Sequence, residues 1–117
     1  KQNIKWCLFD GRDLGSVSAV TVRQDNLRLL CGYVKGGITL WNLQNGELIN
    51  VFNELHGAQT AVLQLKFVIS ITIVISNNFI SVFTDPSKAL LSDSSGSVFI
   101  LHVKKTNIES QCVFSGR

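Results

Sequence analysis

Short apolar runs, each closed by glycine, asparagine, aspartate or serine, follow one another along most of the chain. They fall at 4–9, Val17–Val22, 27–34, 38–43, 48–52, 60–67, 89–91, Val98–Val103 and 111–114. Their valine, isoleucine, threonine and phenylalanine content predicts strands. No stretch keeps an apolar period of 3.6 residues over three turns, so the pattern predicts no helix. The breaks between runs carry turn chemistry. Asn45-Gly46 predicts a type I′ hairpin turn, whose two central residues both need positive φ. Lys35-Gly36-Gly37 and Ser94-Ser95-Gly96 place glycine where a left-handed torsion is wanted, and Asp10-Gly11 and Asp25-Asn26 are turn dipeptides of the same kind. The expected fold class is all-β, a meander of antiparallel hairpins.

An internal repeat sharpens this. LCGYVKGGITLWNL (30–43) lies over LLSDSSGSVFILHV (90–103) at an offset of 60, matching Leu30 to Leu90, Gly36 to Gly96, Ile38 to Val98, Leu40 to Ile100 and Leu43 to Val103. Earlier in each unit, Val20 over Leu63 and Val22 over Leu65 give an offset of 43. A unit of about 40–45 residues with four strands is the period of a β-propeller blade. The two offsets differ by 17, which is the length of FVISITIVISNNFISVF (67–83), an uncharged segment without counterpart in the first unit. The expected organisation over 1–117 is therefore a leading strand, a blade at 17–53, and a blade at 60–115 carrying an insertion at 67–83. Blades stack around an axis because one four-stranded sheet cannot cover both of its own faces. Two of them do not close a ring, so the functional object is expected to be larger than this chain.

The run at 30–43 resembles the inner hairpin of a WD repeat. Trp41 stands at the repeat's tryptophan, Asn42 at its aspartate, and His56 in the connection where that family places its histidine. Gly32, Gly36, Trp41, Gly46, His56 and Gly96 are the positions that match, and the resemblance gives them structural roles. Lys35 and Ser95 precede the turn glycines where the family has aspartate. On that basis the family's His–Ser/Thr–Asp–Trp hydrogen-bond network is expected to be incomplete in both units, leaving stability to apolar packing. LRLLCGYVKGGITLWNLQNGELI (27–49), TAVLQLKF (60–67), SDSSGSVF (92–99) and ESQCVFSGR (109–117) are further similar to the propeller of the vacuolar protein sorting-associated protein eight family. That resemblance implies a non-catalytic, cytoplasmic scaffold of the CORVET endosomal tethering complex. It implies fellow tether subunits and an early-endosomal Rab GTPase as partners, with peripheral membrane association through them. It supplies no motif for individual partner-contacting residues.

The 67–83 segment has other readings. It is slightly shorter than the roughly 20 residues of a membrane span, and Asn77-Asn78 interrupts it; a hairpin turning at 76–78 extends the flanking strands instead. Its isoleucine, asparagine and phenylalanine content corresponds to A/T-rich codons, as expected of a short intron read through, which transcript sequencing distinguishes. The alternative to the scaffold is a small membrane-associated or self-associating β protein whose functional part is this segment. A WD-repeat scaffold of another pathway is the third reading.

Composition narrows the chemistry. Hydrophobic residues make up 45% and charged residues 16% of the 117, with a net charge of +3. The basic residues are scattered from Lys1 to Arg117, and Lys104-Lys105 is their one adjacent pair, unlike the basic stripe of a nucleic-acid binder. Cys7, Cys31 and Cys112 each sit in an apolar run, odd in number and far apart. They are expected to be small buried hydrophobes in a reducing compartment, neither disulfides nor metal ligands. His56 and His102 are 46 residues apart, and no C-x-x-C pair is present. No catalytic constellation emerges: there is no G-x-S-x-G elbow and no G-K-[ST] after the glycines at 32–37. Asp10, Asp13 and Asp25 look like turn formers, and Asp93 adjoins a serine-rich turn. No cofactor is expected. The start of the sequence carries neither a methionine nor a signal-like apolar core, which suggests a piece of a longer protein.

Overall fold

The computed structural model describes residues 14–57 and 60–116. The expected leading strand at 4–9, the turn residues Asp10, Gly11 and Asp13, and Cys7 lie outside the described residues. Among the described residues, eight strands form two four-stranded antiparallel sheets, each a meander in which chain neighbours are hydrogen-bonded neighbours. The first sheet holds β1 (Val17–Val22), β2 (Arg28–Tyr33), β3 (Ile38–Asn42) and β4 (Glu47–Phe52). The second holds β5 (Val62–Ser76), β6 (Phe79–Asp93), β7 (Val98–Val103) and β8 (Ile108–Phe114). Among the described residues there is no helix.

The main core lies between the sheets. Leu30, Ile38 and Leu40 from the first meet Val62, Leu65, Ala89, Leu91, Phe99 and Leu101 from the second. Leu40 is fully buried, and covering such a side chain is worth about 1.5–3 kcal/mol. Because side chains alternate along a strand, Leu29, Cys31 and Tyr33 of β2 fall on the opposite face from Leu30. There they form a second cluster with Leu14 and Trp41. β2 is therefore apolar on both faces and buried almost throughout, as a strand covered on both sides must be. β7 is buried at every second residue, whereas β8 is exposed after Ile108.

The closest approach of the sheets explains Gly32. A Cβ there would sit 2.5 Å from Val62 Cγ1 and 2.7 Å from Val62 Cβ, so any side chain would force β2 away from β5. β1 and β5 also exchange polar contacts. The Ser18 hydroxyl donates to the Val62 carbonyl at 2.5 Å, and the Phe67 amide donates to Thr21 Oγ1 at 3.0 Å.

Two expectations are corrected. Asn45-Gly46 does not make a two-residue type I′ turn: β3 and β4 pair through Asn42 and Glu47, leaving a four-residue loop in which the Gly46 amide donates to the Asn42 carbonyl at 2.8 Å. Gly46 alone has positive φ there. Side chains favour the longer loop, because Asn42 Oδ1 takes the Gln44 amide and Asn45 Oδ1 takes the Glu47 amide. The paired positive torsions occur instead at Asn77 and Asn78, with φ of 49° and 68°, where β5 turns into β6 with Ser76 opposite Phe79. Segment 67–83 thus belongs to two long strands, β5 and β6, as the hairpin expected to turn at 76–78 and extend the flanking strands. Finally, Cys112 is exposed, while Cys31 is buried: β8 lies at the sheet edge, so an apolar-looking run there is not covered.

Candidate functional site

The two central turns are built alike. Between β2 and β3 the Tyr33 amide donates to the Gly37 carbonyl at 3.0 Å and the Gly36 amide to the Tyr33 carbonyl at 3.0 Å. Between β6 and β7 the Asp93 amide donates to the Ser97 carbonyl at 3.1 Å and the Gly96 amide to the Asp93 carbonyl at 2.9 Å. Gly36 and Gly96 both hold positive φ, 101° and 85°, torsions that glycine adopts without a Cβ clash. Tyr33 and Asp93 are therefore structural equivalents, 60 positions apart, and their side chains build different polar clusters.

In the first sheet the cluster is neutral. Trp41 Nε1–H donates to Thr39 Oγ1 at 2.8 Å, and that hydroxyl exchanges a hydrogen bond with the Tyr33 hydroxyl at 3.2 Å. All three residues are buried. Cys31 lies against Thr39 and Tyr33; burial pushes its thiol up to about 11, against which those two contacts act. Such a thiol stays protonated and unreactive at neutral pH.

In the second sheet the cluster is built on a carboxylate and joins the two sheets. His56, in the connection between β4 and β5, is buried to 2% exposure and Asp93 to 1%. His56 Nδ1 lies 2.9 Å from Asp93 Oδ2, and His56 Nε2 lies 2.8 Å from the Gly36 carbonyl of the other sheet's turn. Thr60 Oγ1 sits 3.3 Å from both Nδ1 and Asp93 Oδ2. The other carboxylate oxygen accepts from the Ser95 hydroxyl at 2.6 Å, the Ser95 amide at 3.0 Å and the Ser97 amide at 3.2 Å. Burial pushes the Asp93 carboxyl up, but the Ser95 hydroxyl, the His56 ring and the Ser97 and Ser95 amides outweigh it and hold it down at about 2. The Phe99 ring meets His56 edge-on with centroids 6.0 Å apart. Among the described residues no buried side-chain nitrogen or oxygen lacks a partner.

This arrangement corrects the reading that stability rests on apolar packing alone. An aspartate does reach His56, but from three residues before the turn glycine and not from the position directly before it. The acid and the tryptophan never share a sheet: Leu101 stands where Trp41 stands, and Tyr33 where Asp93 stands. Of the residues matched to the repeat, Gly32 lies at the sheet-to-sheet approach and Gly36 at the His56 contact. Trp41 is in the neutral cluster, Gly46 closes the β3–β4 loop, and Gly96 lies in the β6–β7 turn. The sequence pattern missed Asp93 and Thr60 as members of the joint; a polar residue buried beside a turn glycine in each unit was the available signal. His102 is half-buried on β7, away from this cluster. Every polar group of the joint is consumed by the fold, which gives the arrangement a structural chemistry.

The family model described as Vps8 beta-propeller matches residues 1–117. The chain belongs to the Vps8 β-propeller family. Its two sheets are accordingly β-propeller blades. It is 36% identical over 122 residues to vacuolar protein sorting-associated protein 8 homologs of Mus musculus and Homo sapiens. Against the Drosophila melanogaster homolog the identity is 26% over 119 residues. Each alignment covers 98% of this chain and 8% of the relative, so the chain spans about one-twelfth of the length of those family members.

Proposed function

We propose that this region is a non-catalytic part of a protein-binding scaffold that serves vacuolar protein sorting. The observation that carries the reading is similarity along 98% of the chain to homologs bearing that name. The fold is compatible with it. The polar groups of the joint hold the sheets together and leave no buried acid or base facing solvent. The blade units of this reading are 17–53 and 60–115, with 67–83 inserted in the second. Leu63, Leu90 and Phe114 are 56%, 41% and 61% exposed, consistent with further blades completing the ring.

In the finer form of the proposal, the scaffold is a cytoplasmic subunit of the CORVET tether. It acts in endosome fusion, held peripherally on endosomal membranes by fellow subunits and an early-endosomal Rab GTPase. The test is a pull-down of the full-length parent, with and without residues 1–117, against that Rab loaded with GTP or GDP. GTP-dependent capture that disappears with the deletion supports the proposal. Capture indifferent to the region refutes a role for it in Rab engagement.

A further inference from the structure

On the reading that further blades complete the ring, we propose that the outer face of the second sheet seats another sheet of the same protein that carries a carboxylate opposite Lys66, and refuses a second copy of this chain. β1 and β5 share a bulge. Each skips one residue against its partner strand, between Val17 and Ala19 opposite Tyr33 and Gly32, and between Val62 and Gln64 opposite Asp93 and Ser92. Leu63 therefore answers to Ser18 and not, as the apolar pattern suggests, to Val20. Lys66 answers to Thr21, since the one lies opposite Leu90 and the other opposite Leu30. Leu90, Val98 and Ile100 stand where Leu30, Ile38 and Leu40 stand. Those last three are fully buried in the core between the sheets, whereas Leu90 is 41% exposed and Val98 and Ile100 are half-buried. The outer face of the second sheet thus repeats the covered face of the first, without its cover. Stacked sheets bury such faces against one another.

Three exchanges make the two faces select differently. Gly32, whose missing Cβ admits Val62, gives way to Ser92. Ser18, whose hydroxyl donates to the Val62 carbonyl, gives way to Leu63, which has nothing to donate. Thr21, whose Oγ1 accepts from the Phe67 amide, gives way to Lys66, whose ammonium can only donate. Offered a second copy of β5, the outer face would meet a valine with a Cβ, a carbonyl with methyl groups and an amide with an ammonium. Head-to-tail stacking of copies generates open filaments, and these exchanges act against it.

Lys66 also fixes the chemistry of the sheet that does fit. Its neighbours on this face are Gln64 and Val68 along β5, Leu90 directly across and Lys88 diagonally across. None of these is an acid, and Lys88 adds a second positive charge. Glu109, in line with Lys88 and His102 across the sheet, is paired with Lys104 at 3.1 Å. Covering Leu90 with another sheet takes the Lys66 ammonium out of water, and an ammonium so placed needs a carboxylate beside it. That acid comes from the incoming sheet, at the place where β5 sets the Phe67 amide against Thr21.

The direct test is carbodiimide cross-linking of the full-length parent, which joins amines to carboxylates in contact, followed by peptide mass mapping. Lys66 should link to an aspartate or glutamate of the same molecule outside residues 1–117. Its acetylation should run roughly tenfold or more slower than that of Lys105 in the exposed β7–β8 turn, as for a group reached only by local opening. Leu90→Cys reads the cover separately, and maleimide should modify it far more slowly than Cys112. Protection at position 90 with Lys66 unlinked and acetylated as fast as Lys105 would overturn the carboxylate while the ring stands. Rapid labelling at position 90 would overturn both. If that variant does not fold, the unaltered protein decides alone: a link from Lys66 to a second molecule, or to no carboxylate, overturns the proposal.

Discussion

Replacing Asp93 with alanine is the substitution for which the structure gives the most definite magnitude. The carboxylate receives the Ser95 hydroxyl, the Ser95 and Ser97 amides and the His56 ring, and it is 1% exposed. Alanine leaves the ring without its acceptor and at least one turn amide unpaired. Two or more buried donors left unpaired, at about 1–3 kcal/mol each, come to about 3–5 kcal/mol, a large share of the roughly 5–15 kcal/mol that stabilises a typical domain. Hydrogen exchange of peptides covering 88–103 in the full-length protein reads this locally. Protection should fall roughly a hundred- to several-thousand-fold, since a factor of ten corresponds to about 1.4 kcal/mol. The acid limb provides a second check. Asp93 is held at about 2 against an ordinary 3.8, so its contribution is fully present above the ordinary value. It is lost as pH falls from about 4 to about 2, on the order of 2 kcal/mol in all. In the alanine variant that acid-dependent loss should be absent. A variant within about 0.5 kcal/mol of the parent, the range of an ordinary surface change, would refute the reasoning.

Gly32→Ala should destabilise by about 1–3 kcal/mol through overpacking, and Val62→Ala should partly rescue it in a double-mutant cycle, because the clash is with that side chain. Thr39→Val removes the shared partner of the Trp41 indole and the Tyr33 hydroxyl; a cost of about 1–3 kcal/mol in a denaturant melt is expected. Replacing residues 69–86 by a short glycine-containing turn should leave β7 and β8 paired and raise solubility in an ultracentrifuge assay, since the removed stretch is rich in β-branched residues and carries one charge. Maleimide labelling of the native protein should modify Cys112 rapidly, and Cys31 only after unfolding.

The strands were legible because apolar alternation and turn residues agree along the chain. The repeat offset of 60 turned out to be the structural equivalence of the two central turns. Loop chemistry was harder to read. Asn45-Gly46 favours two different turns by propensity, and backbone-capping contacts from Asn42 and Asn45 select the longer one. The joint was half legible: His56 stood out as a lone histidine between strand runs. Its acid did not, because serines surround Asp93 and its burial follows from sheet packing rather than from local pattern. Cys112 shows the converse, an apolar neighbourhood in sequence that an edge strand leaves open to solvent.

His56 follows the last strand of one sheet, yet its ring reaches the turn of the other. The connection that follows the first sheet is therefore tied by its side chain to the turn of the second. The first sheet hands the second a side chain that finishes its central turn, as a rivet set in one plate passes into its neighbour. A cut made just ahead of β5 would leave the second sheet without that fastening, and the natural line of division runs before residue 56.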